Sequence, residues 1–356
     1  MGLISVLPAQ AQVSVSPFEM KRITDECVQT QIQWRDTQTG VWETAGWWNS
    51  ANVLTAFIEY TRLNDRRDLW PLIDEVFEKS RHYQVGKDDN GQPKYCDDYA
   101  NDYYDDRGWW ALAWVDAFVM THEQKYLKMA ETIFKGMTNG WSADFGGGIY
   151  WKCNPHQYKN AIANNLFGLL AARLLKHTGN QEYKDWLMKE VNWMLNSGML
   201  NDQYMVEDGL QDDGKPNRNQ YYTYNQGVLM AVLTEMYELT GEQHYLTKAE
   251  GIASATLRNM TTQDGVLREM RPSTEPSGDG VQFKGIFVRH LSYLNRVAPK
   301  AEYKEFFRKN AYSIVIHDYD PVSKSLGCFW YGPFHKVQSA ANACALDCLV
   351  AFQGLQ

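Results

Sequence analysis

Five aspartates fall within residues 97–106, and two of them, Asp105 and Asp106, are adjacent. They stand just ahead of Arg107-Gly108-Trp109-Trp110 and the apolar run Ala111-Leu112-Ala113-Trp114-Val115. Carboxylates this close raise each other's proton affinity unless something separates or neutralises them. Surroundings that push two such affinities apart turn a pair of carboxyls into a proton donor and an ionised partner. A plainer reading makes Asp105 a helix N-cap and Asp106 a first-turn acid favoured by the helix dipole. Either way, the stretch predicts a buried helix with charges at its mouth.

Other segments offer groups suited to a hydroxylated ligand. Trp47 and Trp48, Gly146-Gly147-Gly148-Ile149-Tyr150-Trp151, Asn160 and Asn164, Tyr224-Asn225-Gln226, residues 279–284 including Lys284, and residues 331–335 are all polar or aromatic. The chain holds 13 Trp and 21 Tyr, and rings with a polar tip suit surfaces that are half apolar and half hydroxylated, such as sugars present. The net charge of −8, from 35 basic and 43 acidic residues with no basic block, argues against nucleic acid or an anionic membrane as partner. The glycine triplet lacks the strand-before, helix-after setting of a phosphate loop. The clustered aspartates do not have EF-hand spacing. Neither metal nor cofactor is expected. The six cysteines form no CxxC pair; Cys344 and Cys348, four apart, are expected to pack as small apolar residues on one helix.

Twelve helical segments must position these groups. Six are apolar nearly all round, near 47–60, 107–120, 162–175, 226–238, 283–294 and 339–352, as befits helices buried on every side. Six amphipathic segments alternate with them, near 17–33, 68–82, 124–138, 181–195, 243–258 and 301–315. A weak repeat marks the joins: Thr121-His122-Glu123-Gln124-Lys125-Tyr126, Thr178-Gly179-Asn180-Gln181-Glu182-Tyr183 and Thr240-Gly241-Glu242-Gln243-His244-Tyr245. That period fits one helical hairpin plus a long loop. The reading is an inner ring of six helices inside an outer ring of six, with the long loops, and the aspartate pair, on one rim. No linker composition divides the chain, so residues 13–356 are read as one domain. Residues 1–12, with an apolar piece before Ala9-Gln10-Ala11, resemble the remnant of a signal peptide and suggest a secreted, periplasmic or cell-surface protein. No run is long enough to span a membrane, and a monomer is expected.

The motifs also carry a family likeness. Asp105-Asp106-Arg107-Gly108-Trp109-Trp110-Ala111-Leu112-Ala113-Trp114 resembles the paired-aspartate signature of glycoside hydrolase family 76, the endo-α-1,6-mannanases. Residues 146–151, Lys159-Asn160-Ala161-Ile162-Ala163-Asn164, Thr223-Tyr224-Asn225-Gln226-Gly227-Val228-Leu229 and residues 283–289 resemble further family segments in the same order. The resemblance implies an all-α (α/α)6 barrel and retaining cleavage of α-1,6-linked mannan, with Asp105 as nucleophile and Asp106 as acid/base. It implies Asp208 as a substrate-binding acid. Asp102 joins Trp47, Trp48, Tyr150, Asn160, Asn164, Tyr224, Asn225 and Lys284 as a candidate for substrate binding. Arg107 departs from the family pattern, and residues 211–220 are a variable loop. A transglycosylase of the same family, a glycan-binding protein without catalysis, and an epimerase with histidines at the cleft centre are the competing readings.

Overall fold

The structure, a computed structural model, describes residues 15–42, 44–153, 156–271 and 278–356. The expected signal-peptide remnant at residues 1–12 lies outside the described residues. Among the described residues twelve α-helices alternate as anticipated. The outer ones are α1 (Pro17–Gln33), α3 (Trp70–Ser80), α5 (Gln124–Thr138), α7 (Gln181–Asn196), α9 (Gln243–Asn259) and α11 (Ala301–Ser313). The inner ones are α2 (Trp47–Leu63), α4 (Tyr104–Thr121), α6 (Ala161–Thr178), α8 (Thr223–Thr240), α10 (Phe283–Val297) and α12 (Ser339–Gln353). Each inner helix packs against the next, and α12 returns to α2, so the ring closes as the expected (α/α)6 barrel.

The sequence repeat is a capping device. Thr121, Thr178 and Thr240 each donate their hydroxyl to the carbonyl four residues back, and each accepts from the backbone N–H two residues on. The next residue, His122, Gly179 or Gly241, adopts the left-handed conformation that ends the inner helix. Each outer helix then starts within three residues. The inner ring is tight: a Cβ on Gly227 of α8 would lie 2.6 Å from Phe287 Cα of α10, and one on Gly285 would lie 2.7 Å from the Cys344 carbonyl oxygen of α12. Cys344 and Cys348 are buried and unbridged, and Cys344 Sγ accepts from the Gly285 amide at 3.1 Å. At the seam, Asn342 of α12 donates to the Cys27 carbonyl and to Gln31 Oε1 of α1.

The long connections gather on the rim where the inner helices begin. Among the described residues they hold three short antiparallel hairpins: β1 (Gln84–Lys87) with β2 (Pro93–Tyr95), β3 (Lys152–Cys153) with β4 (His156–Gln157), and β5 (Tyr319–Asp320) with β6 (Ser325–Leu326). Among the described residues, no helix is long and apolar enough to cross a membrane.

Candidate active site

Helix α4 begins at Tyr104, so Asp105 and Asp106 lie inside its first turn rather than ahead of it. Tyr103 is the N-cap and makes no side-chain capping bond, so the plainer capping reading of Asp105 does not describe the structure. Consecutive helical positions diverge by about 100°, and no sharp backbone turn is involved. The two carboxyls are held apart by different partners.

One wall comes from the loop before α6. The Tyr104 amide bonds the Trp151 carbonyl at 2.9 Å and the Cys153 amide bonds the Asp102 carbonyl at 2.8 Å, zipping residues 151–153 onto the strand that enters α4. This brings the Trp151 indole over the pair, where Nε1–H donates to Asp105 Oδ2 at 3.1 Å. The other oxygen, Oδ1, is buried without a partner. Asp106 Oδ2 accepts from Asn101 Nδ2 at 2.6 Å. Asn101 is fixed in turn, its Oδ1 accepting from the Tyr103 amide and its carbonyl from Arg107 Nε at 2.9 Å. Arg107 thus braces the loop and lies over the Tyr104 ring instead of pairing with either acid.

Burial raises the proton affinity of both carboxyls, but unequally. For Asp105 the opposing hydrogen bond from Trp151 is the next largest influence. For Asp106 burial is reinforced by the negative charge of Asp105, which outweighs the Asn101 hydrogen bond, and its carboxyl is raised well above the usual range. Asp106 therefore holds the proton of the coupled pair while Asp105 is the more readily ionised.

The pair opens into a cleft of about 670 Å³ lined by fourteen residues, among them Trp48, Trp109, Trp151, Asp208, Tyr224 and Asp279. Asp208 lies across from the pair, accepting from Tyr158 Oη at 2.7 Å and Asn225 Nδ2 at 3.1 Å; burial raises its affinity against these bonds. Asp279, at the mouth, accepts from Trp48 Nε1 at 3.1 Å, and its negative charge pushes both Asp105 and Asp106 upward. Aromatic platforms frame the opening. Trp48 stacks on Trp109 at 6.0 Å, and Tyr224 stacks on Phe283 at 3.9 Å. Among the described residues that line the cleft there is no Lys, Arg or His, the type that the epimerase reading asks for at its centre.

Of the candidates read from sequence, Trp48, Asn160, Asp208 and Tyr224 line this cleft with the pair. Others stand behind it. Asn225 is buried and holds Asp208, and Asn164 clasps the Ile149 backbone through both its amide atoms. Trp47 turns into the core against Trp110 and donates to the Ser80 carbonyl. Lys284 is buried, bonded to the Cys328 carbonyl beneath the Trp330 ring. Asp102 pairs with Lys94, and Tyr150 donates to Asp144 and stacks on His156, both away from the lining. Tyr103, Trp109, Tyr158 and Tyr222 line the cleft without having been proposed as binding groups, while Trp151, Asp279 and Phe283 belong to segments read as suited to a hydroxylated ligand but were not individual candidates. Most sit one or two positions from a residue that was. Elsewhere, His82, Asp97 and Asp98 are the metal-type group found among the described residues, but they are surface groups and Arg81 already bonds Asp98 at 2.7 Å.

A family profile for glycosyl hydrolase family 76 matches residues 20–351. The chain belongs to that family. This family 76 protein is 28% identical over 275 residues to the mannan endo-1,6-alpha-mannosidase of Candida albicans, covering 72% of this chain and 60% of that protein. It thus spans about three-fifths of the length of the curated relatives it matches. Its fold is similar to that of the α-1,6-mannanase of Salegentibacter sp. HEL1_6, with a TM-score of 0.82 at 24% identity over 95% of this chain and 100% of that one. An inactive variant of that enzyme, with two adjacent aspartates changed to alanine, is known in complex with α-1,6-mannotetrose and superposes with a TM-score of 0.82 at 23% identity, covering 95% of this chain and 99% of that one.

Proposed function

We propose that this protein is an endo-acting α-1,6-mannanase that hydrolyses α-1,6-linked mannan backbones with retention of configuration. The observation that carries the reading is the unequal setting of two neighbouring acids inside an aromatic cleft. Asp105, with one oxygen bonded by Trp151 and the other unpartnered, attacks the anomeric carbon. Asp106 delivers its proton to the departing glycosidic oxygen as that bond breaks. The resulting mannosyl–aspartate ester is cleaved by water, whose proton passes to Asp106, and Asp105 leaves as carboxylate. Retention asks for carboxyls about 5–5.5 Å apart, which side chains of consecutive first-turn residues can meet.

Trp48, Tyr224, Asn160 and Asp208 contact the sugar chain in this reading, through ring faces and hydroxyl hydrogen bonds. Asn225, Asn164, Trp47 and Lys284 support those groups from behind, and Asp102 and Tyr150 hold the loops that carry them. The cleft is broad and open, as internal attack on a polymer requires, and a polymeric substrate fits action outside the cell. Neither a metal nor a cofactor takes part. The inactive double-aspartate variant of the Salegentibacter enzyme supports the choice of residues.

The test is incubation with linear α-1,6-mannan, with products resolved by size and the first-formed anomer read by proton NMR. Internal cleavage giving a ladder of oligosaccharides, α-anomer first, is expected. Intact polymer, release of mannose from chain ends only, or the β-anomer first would refute the proposal.

A further inference from the structure

A second cavity opens at the other end of the barrel, among the C-terminal halves of the inner helices. It has a volume of about 320 Å³ and is closed above by Trp109, the ring that also floors the cleft. Its wall is charged. Arg62 bonds Glu59 at 2.6 Å, Arg173 bonds Asp116 at 2.8 Å and Arg289 bonds Asp347 at 2.7 Å. The fourth guanidinium, Arg296, has a long hydrogen bond of 3.4 Å to Ser292 Oγ, lies over the Tyr293 ring and shares the charge of Glu59 with Arg62. Glu235, 3.9 Å from both Arg173 and Lys176, and Glu238, which accepts from Tyr293 Oη, stand behind lining residues without lining the cavity themselves.

Two buried N–H-capable atoms of lining residues also have no partner: Arg289 Nε and Nε2 of His290, whose side chain belongs to a residue only 4% exposed. A buried donor left unmade is costly, so such atoms mark a place for an acceptor. Cations in the last turn of a helix answer the negative end of its dipole, which accounts for Arg62 and Arg296 in part. Arg289 and His290 lie about two turns further in, beyond that reach.

We propose that this pocket is a second ligand site, taking a small oxyanion of the phosphate or sulfate type through Arg296, Arg289 Nε–H and His290 Nε2–H. The three carboxylates of the lining are engaged by Arg62, Arg173 and Arg289, so the groups left open are donors, which suits an oxyanion and not a sugar. The field is consistent with this. Burial and then the charges of Arg173, Arg289 and Arg296 hold His290 well below its usual range, so the ring is neutral and can donate through one nitrogen. Burial likewise lowers Arg296 against the opposing charge of Glu59, with Arg62 and Arg173 adding to the lowering.

The experiment is calorimetric and thermal titration of the whole protein with inorganic phosphate at constant ionic strength, with sodium chloride and mannose as controls. A saturable, phosphate-specific rise in the unfolding midpoint is expected. Arg296→Met weakens binding roughly tenfold, as loss of a charge-assisted bond should. Glu59→Gln, which removes a competing carboxylate and frees Arg62, strengthens it. Asp105→Asn, in the cleft, leaves it unchanged. No effect beyond chloride, which would mean that water alone satisfies the buried donors, overturns the proposal. So does equal binding by Arg296→Met, weaker binding by Glu59→Gln, or a response to mannose in place of phosphate. Should Arg296→Met fail to fold, the sign of the Glu59→Gln effect decides.

Discussion

Replacing Trp151 with Phe keeps a ring beside Tyr103 and removes one N–H, the donor to Asp105 Oδ2. That bond acts on the ionised carboxylate more than on the acid, because hydrogen bonds to charged groups contribute about 1.5–3 kcal/mol. One pKa unit corresponds to about 1.4 kcal/mol, so loss of the bond raises the Asp105 carboxyl by roughly one to two units. Burial already lifts that carboxyl, and Trp151 is the largest influence pulling it down. The acidic limb of the kcat/KM profile on α-1,6-mannan therefore moves to higher pH by the same amount. At the pH where half the wild-type enzyme has Asp105 ionised, a one-unit rise leaves about one molecule in eleven ionised, a loss of roughly fivefold. On the plateau between the acidic and basic limbs the loss is smaller. The assay is a pH–rate series for both proteins, with circular dichroism to confirm the fold. An unshifted acidic limb, or a loss of the same size at every pH, would refute the reasoning, because the indole would then be serving only as a wall.

Asp105→Asn and Asp106→Asn should each fold normally and lose about a thousandfold or more in turnover, beyond the worth of one supporting hydrogen bond; near-normal rates in either would remove that residue from the chemistry. Glu190 is fully buried on α7 with neither oxygen partnered, and burial alone raises its affinity well above the usual range. The folded state thus keeps it neutral while the unfolded chain ionises it near pH 4, so its cost grows as pH rises from there toward the folded-state value. Glu190→Met should stabilise the protein by about 2 kcal/mol at neutral pH and by less near pH 4; a pH-independent or negative change in denaturant midpoint would contradict this. Gly227→Ala should destabilise by at least about 2 kcal/mol, since the new methyl would meet the Phe287 backbone at 2.6 Å; an unchanged midpoint would show that α8 and α10 can part freely.

The helices were legible because an inner helix buried all round and an outer helix with one wet face have different apolar patterns, and these repeat six times. The start of α4 was placed three residues late because its first turn carries two acids that look like solvent-facing residues when read alone. The rim was legible too, since the long connections all follow outer helices. What sequence could not supply was facing. Trp47 and Trp48 are neighbours on one helix and point about 100° apart, so one stacks in the core and the other over the cleft. Tyr150 and Trp151 adjoin in the loop ahead of α6, and it is the second, read only as part of its segment, whose side chain reaches Asp105. Asn160 and Asn164 share a face, but a turn of depth separates a lining residue from a buried clasp. Arg107 stands next to the acids in sequence yet is drawn to the Asn101 carbonyl.

Asn342 fastens the last hairpin to the first through Cys27 and Gln31. A linear stack of helical hairpins has two terminal units with one neighbour each, and it frays from them. Here every unit has two neighbours, so no unit is the weakest by position, and releasing any hairpin requires breaking two interfaces at once. The array behaves as a loop without ends, and its loss of structure on heating should be a single collective event that begins nowhere in particular.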